Sequence, residues 1–239
     1  MSSRATTPII ALDRSTAADA LAIVDELGER CHFYKVGNEL FTAAGPTVVR
    51  DLRARGVDVF LDLKFHDIPN TVAHGVANAA ALGARLVTVH AAGGEAMVRA
   101  ASDAARRAAE TAGRPCEVLA VTVLTSLTPV ELAGAWGRSG PVDAMDEVLR
   151  LAELATRAGA DGVVCSGREA GKVRSQFGAG VRILVPGVRA AGSARDDQAR
   201  VVTPSEASAA GADYIVVGRP ITAAADRRAA MESLLAELG

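Results

Sequence analysis

Val57-Asp-Val-Phe-Leu-Asp-Leu-Lys-Phe65 runs through His66-Asp-Ile68 into an amphipathic stretch, Pro69–Gly83, and then into Leu86-Val-Thr-Val-His-Ala91. The first and last runs are short, apolar and rich in β-branched and aromatic residues, so they read as strands. The stretch between them has helical spacing and closes on Gly83, a glycine just past a helix end, before Ala84-Arg85 leads into the next strand. One β–α–β step is therefore written in these residues. Period-two alternation along Val57–Phe65 places Asp62 and Lys64 on one face and Leu61, Leu63 and Phe65 on the other.

The same step recurs in both directions along the chain. Strands are predicted at Pro8–Asp13, Phe33–Gly37, Val57–Phe65, Leu86–Ala91, Glu117–Leu124, Gly162–Ser166, Arg182–Pro186 and Tyr214–Gly218. Helices are predicted at Ala17–Gly28, Pro46–Gly56, Pro69–Gly83, Glu95–Gly113, Val142–Gly159, Arg168–Phe177, Pro204–Gly211 and Ile221–Leu238. Gly-Ala-Asp closes two of these steps, at Gly159–Asp161 and Gly211–Asp213, which has the look of a repeated half-unit. Eight such units in 239 residues fit an α/β fold of the (β/α)₈ TIM-barrel type better than an open doubly wound sheet. No Gly-x-Gly-x-x-Gly follows the first strand, and no linker marks a second domain. The expectation is one barrel domain over residues 1–239, with residues 1–7 as a flexible N-terminal extension.

Apolar residues make up 49% of the chain, enough for a sizeable core, and the formal net charge is −2. That balance gives no case for nucleic acid or a membrane surface as partner, so any phosphate affinity must be local. The N-terminus lacks the apolar segment of a signal peptide and no window approaches a membrane span, which points to the cytoplasm. The three cysteines, Cys31, Cys116 and Cys165, have no metal-ligand spacing and read as small buried residues in a reducing compartment.

Only three residues are lysine, Lys35, Lys64 and Lys172, while arginine dominates the basic set. Lysine at a strand end can give up a proton where arginine cannot, so two such positions point to proton chemistry. Ion pairs at strand ends also occur for structural reasons. In a barrel the active site lies at the C-terminal ends of the strands. Asp13, Lys35, Asp62, Lys64, His90, Thr125, Ser126 and Gly218-Arg219 all fall there, and unpaired buried charge would be costly without a use. Gly218-Arg219-Pro220 opens the last helix, where backbone N–H groups and a guanidinium can receive phosphate. The polar loop from Pro186 to Arg200, carrying Arg189 and Gln198, suits a lid. His90 and His66 read as packed barrel residues. No His-x-His or Glu-x-x-His cluster supports a transition metal, while oxygen-only Mg²⁺ binding stays open.

Taken in order, Ala11-Leu-Asp13, Tyr34-Lys-Val-Gly37, Asp62-Leu-Lys-Phe-His-Asp-Ile-Pro-Asn-Thr71, Leu124-Thr-Ser126, Pro186-Gly-Val-Arg189, Gly192-Ser193 with Asp197-Gln198, and Gly218-Arg219-Pro220 resemble the compact bacterial form of the orotidine 5′-phosphate decarboxylase family. The resemblance covers nearly the whole chain. It implies conversion of orotidine 5′-monophosphate to UMP and CO₂ in pyrimidine biosynthesis, by a homodimer of barrels, with no cofactor and no metal.

Carried over by motif, Lys64 is the proton donor to pyrimidine C6, with Asp62, Asp67 and Lys35 completing the catalytic set. The resemblance places Asp67, Ile68 and Thr71 across the subunit interface in the partner's site. It assigns Asp13 and Lys35 to the ribose, Thr125 and Ser126 to the pyrimidine and Gln198 to a bridge between base and phosphate. Pro186, Arg189, Gly218 and Arg219 bind substrate, the last three on the phosphate side. Val185 and Ala190 depart from the threonine and proline common at those places. Two other readings remain: a Mg²⁺-dependent sugar-phosphate decarboxylase or aldolase sharing the Asp-x-Lys-x-x-Asp core, and a non-catalytic nucleotide-binding barrel.

Overall fold

The computed structural model describes residues 5–140, 142–189 and 202–239. Among them, eight strands form one closed, wholly parallel barrel in sequence order. They are β1 (Thr7–Ala11), β2 (Phe33–Gly37), β3 (Asp58–Phe65), β4 (Leu86–His90), β5 (Glu117–Val121), β6 (Gly162–Val164), β7 (Arg182–Val185) and β8 (Tyr214–Val217). Closure is made by β1 on β8, with Thr7 opposite Tyr214 and Ile10 opposite Val217.

The helices are α1 (Ala17–Leu27), α2 (Asn38–Ala44), α3 (Thr47–Ala54), α4 (Pro69–Leu82), α5 (Glu95–Ala112), α6 (Pro129–Ala135), α7 (Ala144–Arg157), α8 (Gly167–Phe177), α9 (Pro204–Ala209), α10 (Arg219–Thr222) and α11 (Arg227–Leu238). The single-domain (β/α)₈ barrel expected from the repeated β–α step is the fold found.

Two buried clusters follow from the alternation of each strand. Ile9, Ala11, Phe33, Phe60, Leu86, Leu119, Val121, Val164, Leu184, Tyr214 and Val216 fill the barrel interior. Their neighbours one residue on, among them Ile10, Tyr34, Val59, Leu61 and Val87, pack under the helices in the larger cluster. The inward rows begin apolar and turn polar toward their C-terminal ends: Ile9-Ala11-Asp13, Phe33-Lys35, Phe60-Asp62-Lys64 and Leu86-Thr88-His90. Hydrophobic burial thus closes the lower barrel, and the same parity delivers charge to its upper mouth.

The repeated Gly-Ala-Asp has a structural role at the opposite rim. Gly211 takes a left-handed φ of 85°, a conformation that glycine adopts without a Cβ penalty. It delivers Asp213, whose carboxylate accepts the Ile183 N–H at 2.9 Å and the Arg174 guanidinium at 2.6 Å. Asp161 does the same for the Val118 N–H at 2.8 Å.

Several boundaries differ from expectation. Thr6 and Thr7 belong to the barrel and not to an extension: the Thr6 hydroxyl is buried and donates to the Ala212 carbonyl at 2.8 Å, and Thr7 opens β1. The helices α2 and α6 were not anticipated. The segment read as one helix over Ile221–Leu238 is two, because Asp226 caps a fresh start by accepting the Ala229 N–H at 2.9 Å. The predicted strand Gly162–Ser166 stops at Val164, since Ser166 serves instead as the N-cap of α8.

Candidate active site

Above the apolar interior lies a cleft of about 780 Å³, lined by Asp13, Lys35, Asp62 and Lys64 from the ends of β1 to β3 and by Pro186, Arg189, Gly218 and Arg219 from the segments after β7 and β8. Thr125 and Ser126, beyond the end of β5, complete its wall. Every expected site residue that the structure describes lines this cleft, except Asp67, Ile68 and Thr71. Gln198 lies outside the described residues.

The acidic and basic side chains form one alternating row. Lys35 Nζ donates to Asp13 Oδ1 at 2.9 Å and stands 3.9 Å from Asp62 Oδ2. Lys64 Nζ donates to both carboxylate oxygens of Asp62, each at 2.9 Å. Asp62 is 9% exposed, so its charge is largely removed from water and stabilised by the two ammonium groups that face it.

The strand that carries this pair is not regular. Pairing of β3 with β4 passes from Leu61↔Val87 to Phe65↔Val89, so β3 makes four steps where β4 makes two. Within that bulge Lys64 has a φ of 50°, the one left-handed residue other than glycine among those described. Such a conformation costs about 1–2 kcal/mol for an L-residue and needs surrounding contacts to hold it. Alternation correctly put Lys64 beside Asp62; the local twist behind that placement was not foreseen.

Three further residues belong to the site. Thr88, at the inward position of β4 and 1% exposed, accepts the Lys64 backbone N–H at 3.0 Å and donates to Asp62 Oδ1 at 2.8 Å. Its signal in the sequence was a single polar residue in the middle of an otherwise apolar strand. Arg14 lines the cleft and ties the segments after β1 and β8 together, donating to the Asp13 carbonyl at 3.2 Å and to the Thr222 carbonyl at 2.7 Å. Gly37 closes the space beside Lys35, where an added Cβ would stand 2.7 Å from Nζ.

Asp67, Ile68 and Thr71 are exposed, and Ile68 is 65% so. Asp67 turns its carboxylate back to accept the Ile68 N–H at 2.6 Å. His90 and His66 stand outside the cleft lining with ring centroids 5.3 Å apart. Burial, and then the neighbouring His66 and Lys64 charges, hold the His90 pKa below its ordinary value. Among the described residues no group of three or more His, Cys, Asp or Glu converges as metal ligands, and no helix is long and apolar enough to cross a membrane.

Residues 6–234 match the family model described as orotidine 5′-phosphate decarboxylase / HUMPS family. The chain belongs to that family. With membership in the orotidine 5′-phosphate decarboxylase / HUMPS family comes the enzyme class, a lyase. A relative from Alkalilimnicola ehrlichii, named orotidine 5′-phosphate decarboxylase, is 54% identical over 231 residues, covering 96% of this chain and 95% of its own. One of the same name from Sodalis glossinidius is 50% identical over 231 residues, covering 96% of this chain and 89% of its own. The crystal structure of orotidine 5′-phosphate decarboxylase from Lactobacillus acidophilus superposes with a TM-score of 0.84 at 39% identity, covering 98% of this chain and 99% of that one.

Proposed function

We propose that this chain decarboxylates orotidine 5′-monophosphate to UMP and CO₂, with Lys64 as the proton donor, in cytoplasmic pyrimidine synthesis. The observation that carries the reading is the unbroken row Asp13–Lys35–Asp62–Lys64 in a nucleotide-sized cleft that Arg189 and Arg219 also line. The names of the relatives supply the substrate. The three buried cysteines form no disulfide among the described residues, which suits a reducing compartment.

In the chemistry proposed, the bond between C6 and the carboxyl carbon breaks and leaves its electron pair on C6. Lys64 Nζ gives its proton to C6, CO₂ departs, and solvent restores the ammonium. The carbanion has no adjacent π-acceptor in its plane, so the barrier without help is very high. Asp62 repels the substrate carboxylate in the ground state, while Lys64 stabilises the charge that develops. Two unit charges about 4 Å apart at an effective dielectric near 20 interact by roughly 4 kcal/mol. Enzymatic barrier reductions run from about 8 to 23 kcal/mol. Repulsion alone falls short. Most of the reduction comes from charge preorganised for the transition state, held by phosphate binding at Arg189, Gly218 and Arg219. Asp13 and Lys35 take the ribose, Thr125 and Ser126 the pyrimidine, and Gln198 bridges base and phosphate.

The site is completed by a second copy. Asp67, Ile68 and Thr71 stand exposed outside their own cleft, and a large exposed Ile is the kind of residue that a homodimer interface covers. The reading needs no cofactor. Its test is substrate choice: purified protein should bleach the orotate absorbance in EDTA and release UMP. Turnover of a sugar phosphate that appears only with Mg²⁺, and none of orotidine 5′-monophosphate, would place the chain on the other branch of its family.

A further inference from the structure

The Thr88 hydroxyl stands between the two residues that do the chemistry. It accepts a hydrogen bond from the backbone N–H of Lys64 at 3.0 Å and donates one to Asp62 Oδ1 at 2.8 Å. Asp62 in turn accepts the Lys64 ammonium through both oxygens at 2.9 Å. The circuit leaves Lys64 at its backbone and returns to the same residue at its side-chain end.

Three facts make this more than a satisfied core hydroxyl. The bulge between Leu61 and Phe65 takes β3 out of register with β4, so the Lys64 N–H meets the Thr88 side chain where a regular ladder would offer a carbonyl. Lys64 also holds a φ of 50°, which persists only when contacts around it fix it. Thr88 is 1% exposed, so water does not substitute for its oxygen.

We infer that Thr88 is a positioning residue: its one hydroxyl fixes the left-handed turn at Lys64 and the orientation of the Asp62 carboxylate together. The inference rests on the decarboxylase reading for its kinetic consequence, but the geometry it asserts can be read without turnover. Thr88→Val keeps the β-branched shape and removes both bonds; Thr88→Ser keeps the hydroxyl and loses only a methyl. Thr88 does not line the cleft, and Arg189 and Arg219 follow β7 and β8 rather than β3 or β4, so substrate affinity should stay while the chemical step suffers. Misplacement of a catalytic group by about 1 Å costs roughly 100-fold. Thr88→Val should therefore lower kcat roughly 10- to 100-fold with KM nearly unchanged, and Thr88→Ser should recover most of the loss.

The chain has three lysines, so three side-chain ammonium signals are expected in an NMR spectrum of lysine-labelled protein. In Thr88→Val the Lys64 signal should shift and that of Lys172 stay; in Thr88→Ser the Lys64 signal should return. A folded Thr88→Val enzyme with wild-type kcat, or an unmoved Lys64 signal, would overturn the inference. So would a Thr88→Ser variant as impaired as Thr88→Val. Wild-type protein inert toward orotidine 5′-monophosphate would count against the decarboxylase reading instead, and the lysine spectra would still decide the role of Thr88.

Discussion

Gly37 has a φ of −95°, open to any residue, so space and not backbone freedom calls for glycine there. A Cβ at this position would stand 2.7 Å from Lys35 Nζ and 3.2 Å from Asp13 Oδ1. The tip of a lysine moves at little cost to folding, but here its place is what the charge row depends on. Gly37→Ala should leave the melting temperature nearly unchanged and lower kcat/KM by roughly tenfold or more; steady-state kinetics beside a thermal melt would show it, and unaltered kinetics would contradict it. His90 makes a different prediction. Its native pKa lies below the ordinary value near 6.5, first because it is buried. As pH falls through that value, the unfolded chain takes up a proton that the native ring resists, so this group's contribution to stability is lost on acidification. Denaturant midpoints at about pH 7.5 and about pH 5.5 should differ less in His90→Gln than in the wild type. At this scale Asp13, Lys35, Asp62 and Lys64 were legible because each sits at or just past a strand end with inward parity. Thr88 and Gly37 were not, because their roles depend on distances to neighbours and on a bulge that alternation does not record.

Among the elements, α6 could have been found. Thr128-Pro-Val-Glu131 has the same form as Thr203-Pro-Ser-Glu206, which was read as a helix start. Both are capping boxes in which the Thr hydroxyl and the Glu carboxylate each take a backbone N–H. The helix α2 offered less, since it begins on Gly37 without a side-chain cap. The Gly-Ala-Asp repeat was legible as a motif, but its purpose came only from the carboxylates of Asp161 and Asp213 reaching the backbone N–H of the strand before them. Asp213 also takes Arg174 at 2.6 Å and Arg182 at 3.2 Å while 7% exposed. Asp213→Ala removes two ion pairs and the acceptor of the Ile183 N–H, and should cost about 3 kcal/mol of stability. Chemical denaturation would measure it; kcat of the folded variant should be unaffected, because this rim is at the far end of the barrel from the cleft.

For the whole molecule, eight repetitions of one step made the barrel legible, since each strand and helix carried its own periodicity. The proposed second subunit is a different matter: nothing in the spacing of Asp67, Ile68 and Thr71 says which copy they serve, and their exposure outside the cleft is the only structural pointer. If Asp67 acts across the interface, Lys64→Ala and Asp67→Ala are each defective alone yet complement each other in a mixed dimer. After subunit exchange half the dimers are mixed and each has one intact site, so about a quarter of wild-type activity should return. No recovery after demonstrated exchange would put Asp67 in its own subunit's site or outside catalysis. The most direct measurement remains the initial rate of orotate absorbance loss, in EDTA, for wild type and a folded Lys64→Ala. Rapid loss in the wild type that vanishes in the variant is the predicted result; a variant that keeps the wild-type rate would remove Lys64 from the chemistry.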